Sequence, residues 1–525
     1  MGEVAVDPPK CKVILTSDRT LMSNYGNSLF YGFISTAPRA SFLTEFIFRA
    51  VFNKVPLDEY GRAILAPQGL RRIESALVMS GLLRRDEVVV TVPEKIHKFL
   101  NEETKIIGIS TFDPLGKGPA STTISGPSGI VHEEPFNAYY FRRLVGSQEI
   151  QKARRLGVTV VVGGPGAWQL GYEEMERMGI DVVVEGEGEL IFPKVIASIL
   201  NGALKSPVRI TAGIHEAPRA EDIPPLLGGT VGGLVEISRG CGRGCAFCTP
   251  TLRRLRHRPL DAIIRDVKTN IECGQTSVCL HAEDVLRYGT FGLVPDHGKV
   301  VELFNKVRSV SGVKSVGISH AELASIASSP STVREISEIL GLERHAWLGF
   351  QTGIETGSTS MIERYMCRKP APFKPVEWRS VVESAFSICD EYNWIPAATL
   401  IINLPGETEN DVLQTIDLVE ALQNYRSFIV PLLYVPATGG TNRPMRFLED
   451  AMRYHLELYR VLWKHNLRWM EELANDYSRK NNPAVKLTIR STIKFVKSYL
   501  NRRVEEVLEE ALRSRTGLYQ TPEIK

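Results

Sequence analysis

At 525 residues the chain is too long for one ordinary domain, and with 43% hydrophobic and 23% charged residues it has large cores to bury and is not a disordered polymer. A net charge of +3 implies no general attraction to nucleic acid; residues 441–525 hold 17 Lys+Arg against 11 Asp+Glu, or +6, so the preceding 440 sum to −3 and the basic excess sits in the tail. Eight cysteines, three of them clustered, do not make a secreted disulfide framework and point instead to a reducing compartment.

The opening residues, MGEVAVDPPK, lack a cationic segment followed by an apolar run, and no stretch approaches about 20 apolar residues. A cytoplasmic protein is expected. Residues 1–205 then alternate β-branched runs with helical patterns, the strands being Lys12 to Leu15, Glu87 to Val92, Lys105 to Ser110, Val158 to Gly163 and Ile180 to Glu185. Such alternation predicts a Rossmann- or flavodoxin-like parallel sheet with helices on both faces and a ligand at the strand ends. Candidates there are Ser110, Thr111, Gly163, Gly164, Gly186, Glu187 and Gly188, where glycine permits close backbone approach. Thr111 to Gly126, rich in Gly, Pro, Ser and Thr, follows a strand end directly and reads as a wrap over that ligand.

Residues 206–232 carry Pro207, Pro218, Pro224 and Pro225 and finish in glycines, the pattern of an interdomain linker. A strand, Leu234 to Ile237, next leads into Cys241, Cys245 and Cys248, spaced C-x3-C-x2-C, with Gly240, Gly242 and Gly244 free to take positive φ. Three thiolates on one such turn can ligate three irons of a [4Fe-4S] cluster and leave the fourth iron open. Zinc is the competing ion, but a closed zinc site needs four ligands, and His257 and Cys273 make no paired spacing with the loop.

From 233 to about 440 the strand and helix signals alternate again, as in a partial (β/α) barrel with its active centre at the strand C-termini. The strands after the cysteine loop run Ser277 to Leu280, then near Val313 to Ser319, Trp347 to Gly353 and Ala398 to Asn403. They lead respectively into His281-Ala282-Glu283-Asp284, Ser319-His320, Gln351 with Glu355-Thr356-Gly357-Ser358, and Leu404-Pro405-Gly406-Glu407-Thr408.

The cysteine spacing, with Phe247 before the third cysteine, resembles the radical S-adenosylmethionine (SAM) superfamily. The resemblance implies that Phe247 packs beside adenine and that Glu283 stands where a Gly-Gly-Glu motif holds the SAM ammonium, with Asp284 as the fallback and His281 and Ala282 in place of the glycines. It further implies SAM contacts for Ser319, Gln351, Glu355 and Leu404. A helix-capping role for Glu355 is the plain alternative. His281 is the one candidate for a catalytic side chain.

The sheet domain placed ahead of that loop resembles the N-terminal domain of cobalamin-dependent radical SAM enzymes. Where cobalamin mutases carry Asp-x-His-x-x-Gly after the first strand, this chain has Asp18 with Thr20 at the histidine position, so a lower imidazole ligand from this loop is not expected. Cofactors implied are a [4Fe-4S] cluster, SAM and cobalamin; implied partners are an electron donor such as ferredoxin or flavodoxin and a small-molecule, lipid or peptide substrate.

Residues 441–525 turn purely helical, with Leu448 to Tyr477 and Val485 to Leu512 carrying apolar residues three and four apart, among them Ile493, Val496, Leu500, Val504 and Val507. The last helix is basic early (Arg490, Lys494, Lys497, Arg502, Arg503), a face suited to peripheral membrane contact.

The resemblance implies SAM cleavage to a 5′-deoxyadenosyl radical and methylation of an unactivated carbon. Two alternatives stay open. One is radical C-C bond or ring formation on a lipid-like substrate, as in archaeal membrane-lipid ring synthases, to which the aromatic residues Tyr454, Tyr459, Trp463 and Trp469 are suited. The other is a non-catalytic iron-sulfur or cobalamin sensor. Methylthiotransferases bring a second set of three cysteines ahead of the SAM loop, whereas only Cys11 precedes it here. Cys279, Cys367 and Cys389 read as ordinary buried thiols.

Overall fold

The valine- and isoleucine-rich runs of the N-terminal half line up as one sheet in the computed structural model, which describes residues 11–25, 29–40, 42–248, 253–436, 445–479 and 501–516, with single positions between 487 and 498. The strands are β1 (Val13–Ser17), β2 (Val88–Val90), β3 (Ile106–Ser110), β4 (Thr159–Gly163), β5 (Val182–Glu185) and β6 (Val208–Thr211), in spatial order β2-β1-β3-β4-β5-β6. Every adjacent pair is parallel. The order reverses between β1 and β3, which makes the C-terminal ends of those two strands the switch point where such sheets bind ligands.

Both faces of this sheet are covered, and its inner strands therefore carry consecutive apolar residues, such as Val13-Ile14-Leu15 and Val160-Val161-Val162, rather than alternate ones. Val13, Leu15, Val88, Val90 and Val161 face the helices Gln68–Met79 and Gly188–Leu200. Ile14, Val89, Ile107, Val160 and Val162 face Phe141, Leu144, Ile150 and Met175 on the opposite side.

The chain divides into two compact units, one formed by Met1–Ser238, Arg256–Leu280 and Ser309–Val316, the other by Arg239–Leu255, His281–Arg308 and Gly317–Lys525. The segment read as a linker from 206 to 232 needs correcting, since it contributes β6 to the sheet. Its residues are half-buried or exposed, so an edge strand of this kind carries little apolar signal. Further on, Gly229–Thr230 pairs with Leu65–Ala66, and Thr230 N donates to Asn270 Oδ1 at 2.8 Å. Arg72 Nη1 donates to Pro224 O at 2.5 Å.

Beyond it come β7 (Leu234–Glu236), β8 (Ser277–His281) and β9 (Ser315–Ile318), in the order β9-β8-β7, and β10 (Leu348–Glu355), β11 (Trp394–Ile402) and β12 (Phe428–Leu433), in the order β10-β11-β12. Helices Leu260–Glu272, His297–Arg308, Pro330–Leu340, Trp378–Glu391 and Glu409–Ala421 alternate with these strands, the pattern of a partial (β/α) barrel. A parallel bridge joins His320, just past β9, to Gln351 in β10.

The C-terminal region is helical, as the periodicity requires. Helix Arg453–Ser478 finishes the β12 edge with a side-chain amide: Ile429 N donates to Asn466 Oδ1 and Asn466 Nδ2 donates to Ile429 O, both at 2.9 Å. Tyr454, Tyr459, Trp463 and Trp469 on it are half-buried, and both indoles are engaged within the protein: Trp469 Nε1 donates to Gln423 O and Trp463 Nε1 to Asn501 Oδ1. That arrangement removes those two indoles from the lipid-facing stripe the sequence proposed. The final helix is described over Asn501–Thr516; Ile493, Val496 and Leu500 lie outside the described residues. Of its basic residues, Lys497 pairs with Glu471 and Arg502 with Glu506. No helix among the described residues is long and apolar enough to cross a membrane.

One buried carboxylate holds much of the first unit together. Asp266, fully buried, accepts from Arg72 Nη2 at 2.5 Å, from Arg258 and from Leu226 N at 2.9 Å. Asp266→Ala strands two buried guanidinium groups, and denaturant unfolding should show a loss of about 3–5 kcal/mol in this unit. An unchanged midpoint contradicts that role.

Candidate functional site

The cysteine loop owes its shape to three left-handed glycines, Gly240 (φ 82), Gly242 (φ 70) and Gly244 (φ 77). At Gly240 an added Cβ would lie 2.6 Å from Arg253 O, so the backbone approach is as necessary as the positive φ. Cys245 is buried, Cys241 and Cys248 half-buried. Burial pushes the Cys241 thiol up to about 11, with Glu322 adding to it, and the Cys245 thiol up to about 12 against the opposing pull of Lys369. Without a metal these thiols stay protonated, and binding iron must expel the protons. Among the described residues no three His, Cys, Asp or Glu side chains converge on a single-ion site. A cubane does not ask for that, because each cysteine takes a different iron.

Charged residues that the sequence did not single out hold the loop. Arg243, buried between two of the cysteines in sequence, donates to the carbonyls of Lys369 and Ala371 at 2.8 Å and to Ser325 Oγ at 3.0 Å. Arg287 donates to Cys241 O at 2.6 Å. Lys369, with its side chain 4% exposed, places Nζ 3.0 Å from Glu322 and 3.6 Å from Glu355. Burial raises the Glu355 carboxyl, although Lys369 pulls the other way; Glu322 is lowered despite burial, by Lys369 and Arg243. These partners lie far apart in sequence, and only Arg243, set inside the motif, offered a clue.

Of the two acids after β8, Asp284 is committed to structure. It accepts from Ser325 Oγ at 2.6 Å and lies 3.6 Å from Arg243. Glu283 is half-buried and makes no side-chain hydrogen bond or ion pair among the described residues, which leaves it available to an ammonium group. Glu355 does not cap the following helix. Ser358 does, accepting from Met361 N, while Glu355 sits at φ 65 beside a register shift in β10, its carboxylate taken by Lys369 and by Thr399 Oγ1 at 3.2 Å.

Around these acids lie the other strand-end residues. His281 Nδ1 is 2.9 Å from Ser319 Oγ, and its ring lies 6.0 Å from that of His320. His320 Nδ1 is buried without a partner, and burial, with His281 adding, lowers its imidazole to about 4. Phe247 is half-buried, as is Gln351, which adjoins His320 through the bridge, and Leu404 is buried. The turn after Leu404 is fixed by Tyr365 Oη donating to Pro405 O and by Asn403 N donating to Glu407. Asp411 anchors the next helix; although burial opposes it, Ser358, Thr408 and Ser360 hydroxyls bring its carboxyl down to about 2.

On the N-terminal sheet, the candidate residues do much work for the chain itself. A Cβ on Gly164 would lie 2.6 Å from Thr111 O, one on Gly186 3.0 Å from Ala212 Cβ, and one on Gly188 2.7 Å from Ile73 Cδ1; Gly163 has Val184 O at 3.4 Å. Glu187 pairs with Arg256 at 2.5 Å, and Ser110 O accepts from Ser17. Thr111 is different. Its Oγ1 is buried with no hydrogen-bond partner, directly after β3 at the switch point, so a polar ligand group would satisfy it. The loop beyond folds on itself around Asp113, which accepts from Gly118 N, Gln169 and Asn137. Thr20 turns inward and donates to Asp18 at 2.5 Å, and burial lifts that carboxyl to about 6.

A family model described as the radical SAM superfamily matches residues 235–419. The chain contains a radical SAM domain. That domain uses a [4Fe-4S] cluster and SAM; the three thiols fit the first, and Glu283, with no side-chain partner among the described residues, fits the second. The tRNA-2-methylthio-N(6)-dimethylallyladenosine synthase of Moorella thermoacetica is 26% identical over 384 residues, covering 71% of this chain and 79% of the relative. Its counterpart in Desulfosudis oleivorans is 25% identical over 378 residues, covering 71% and 72%. Among solved structures, the radical SAM methyltransferase TsrM from Kitasatospora setae, with tryptophan substrate and aza-SAM bound, aligns with a TM-score of 0.50 at 15% identity over 81% of this chain and 74% of that one. The same enzyme with cobalamin and a [4Fe-4S] cluster aligns with the same score over 77% of its length. At that identity the match carries the fold.

Cys245→Ala should leave anaerobically reconstituted protein without the cluster's visible absorption; full iron content in that variant contradicts the assignment. His320 resists protonation when folded and accepts it when unfolded, so its contribution makes stability fall as pH drops from about 6.5 to about 4. His320→Gln should flatten that limb of the stability curve, and a limb of unchanged slope speaks against it.

Proposed function

We propose that the chain is a cobalamin-dependent radical SAM methyltransferase acting on an unactivated carbon of a small-molecule, lipid or peptide substrate, with a low-potential carrier such as ferredoxin or flavodoxin as electron donor. One observation carries the reading. A parallel sheet of flavodoxin-like strand order, with a partnerless Thr111 hydroxyl at its switch point, shares the chain with a single three-cysteine loop.

In this reading Cys241, Cys245 and Cys248 hold the cluster, Glu283 meets the SAM ammonium, and Thr111 with the Ser110 strand end meets cobalamin. When bound, the cluster and SAM supply one-electron cleavage of a sulfonium to a 5′-deoxyadenosyl radical, and cobalamin supplies a transferable methyl group. The protein's share is positional. Arg243 and Arg287 fix the loop and Asp284 fixes Arg243, so whatever the loop holds is kept in one place. His281, held by Ser319, can orient a polar group of the substrate.

Methylthio transfer, named for the curated relatives, is the second reading, favoured by their coverage of 71% of the chain. Against it stands Cys11, the only cysteine ahead of Cys241, fully buried, with its thiol donating to Val13 O at 3.1 Å and pushed up to about 12 by burial.

The test is metal analysis and product assay of protein made anaerobically with cobalamin available. About four irons and one cobalt per chain, with labelled methyl from SAM entering the product on carbon, are expected. Label arriving as a methylthio group selects the second reading. Deoxyadenosine formed with no label in product points to C-C bond or ring formation, and uncleaved SAM under reducing conditions leaves only a sensor.

A further inference from the structure

The charges packed against the cysteine loop balance before any cofactor is added. Lys369, Arg243 and Arg287 are the cations; Glu322, Glu355 and Asp284 are the anions; and all but the Glu322 and Glu355 tips are nearly or wholly sealed from water. A cubane on three thiolates brings one net negative charge when oxidised and two when reduced. The electron therefore enters a site that already holds three carboxylates. What makes its entry tolerable is a cation that is close, buried and fixed.

Lys369 meets those conditions twice over. Its backbone carbonyl accepts from Arg243, which lies two residues from both Cys241 and Cys245, so the position is tied to the loop itself. Its ammonium reaches Glu322 at 3.0 Å and Glu355 at 3.6 Å and lies 5.8 Å from the Trp378 ring centroid, a wall that keeps it from moving away. Trp378 is itself pinned, Nε1 donating to Ile354 O at 3.2 Å and Thr356 O at 3.1 Å. Lys369 and the two glutamates thus act with opposite sign on one cysteine, Cys245, from fixed places.

We propose that Lys369, set against Glu322 and Glu355, tunes the reduction potential of the radical SAM cluster, the ammonium raising it and the carboxylates lowering it. Lys369 acts here through charge and position, without being a cluster ligand. The inference rests on the reading that Cys241, Cys245 and Cys248 hold a [4Fe-4S] cluster. The reaction it governs adds one electron to the cluster, delivered by dithionite or titanium citrate in the cuvette, with no bond made or broken.

The experiment is an anaerobic redox titration of reconstituted full-length protein, without SAM, followed by the paramagnetic signal of the reduced cluster. Lys369→Met should lower the reduced-to-oxidised ratio at a fixed potential at least tenfold, or 59 mV for a one-electron couple. Lys369→Arg should restore it, and Glu322→Gln should shift it the opposite way. Opposite signs are the signature of charge, because loosening of the site would move both variants alike. If Lys369→Met fails to hold iron, the upward shift in Glu322→Gln decides alone. Unshifted potentials, or shifts of the same sign, overturn the inference while leaving the cluster in place. Wild-type protein with no such signal overturns the cluster reading and the inference with it.

Discussion

The radical SAM domain depends on holding three cysteines on a short loop while leaving a fourth coordination position to a cofactor. A loop so rich in glycine would collapse or wander without an external frame. Arg243 supplies the frame from within the motif, its guanidinium buried against carbonyls of residues 369 and 371, and Asp284 and Ser325 hold it in turn. Arg287 closes the other side on Cys241 O. Removing any one of these buried groups would leave charges or carbonyls unsatisfied where water does not reach.

Seen from the strand ends, the same charges divide the acids by task. Asp284 and Glu355 are spent on protein partners, while Glu283, immediately before Asp284 in sequence, has no side-chain hydrogen bond or ion pair among the described residues. Burial keeps His320 neutral at the end of its strand, and Ser319 holds His281 beside it.

Much of this was legible in the residues. Uninterrupted β-branched runs announced the parallel sheet, because strands buried on both faces need no alternation, and C-x3-C-x2-C with its glycines announced the loop. The β6 strand was hidden because an edge strand with half-exposed Val208 and Arg209 lacks the apolar run that marks its neighbours. Lys369 and Glu322 were hidden for another reason: their meaning lies in a 3.0 Å contact between residues 47 apart, and no local pattern encodes that. Glycines at 164, 186 and 188 were visible as exceptional, yet their sequence could not say whether a ligand or a neighbouring strand forbade a side chain; Thr111 and Ala212 account for two of them. The methylthiotransferase relatives share most of the chain's length, so the decision between their chemistry and carbon methylation falls to cofactors and not to the fold.

Mössbauer spectroscopy of protein reconstituted with isotopically enriched iron, recorded with and without SAM, bears most directly on the central claim. One iron of the cube should differ from the other three and change its isomer shift when SAM is added. Four irons that stay equivalent and indifferent to SAM would show that the corner is closed, and the proposed radical chemistry would fall.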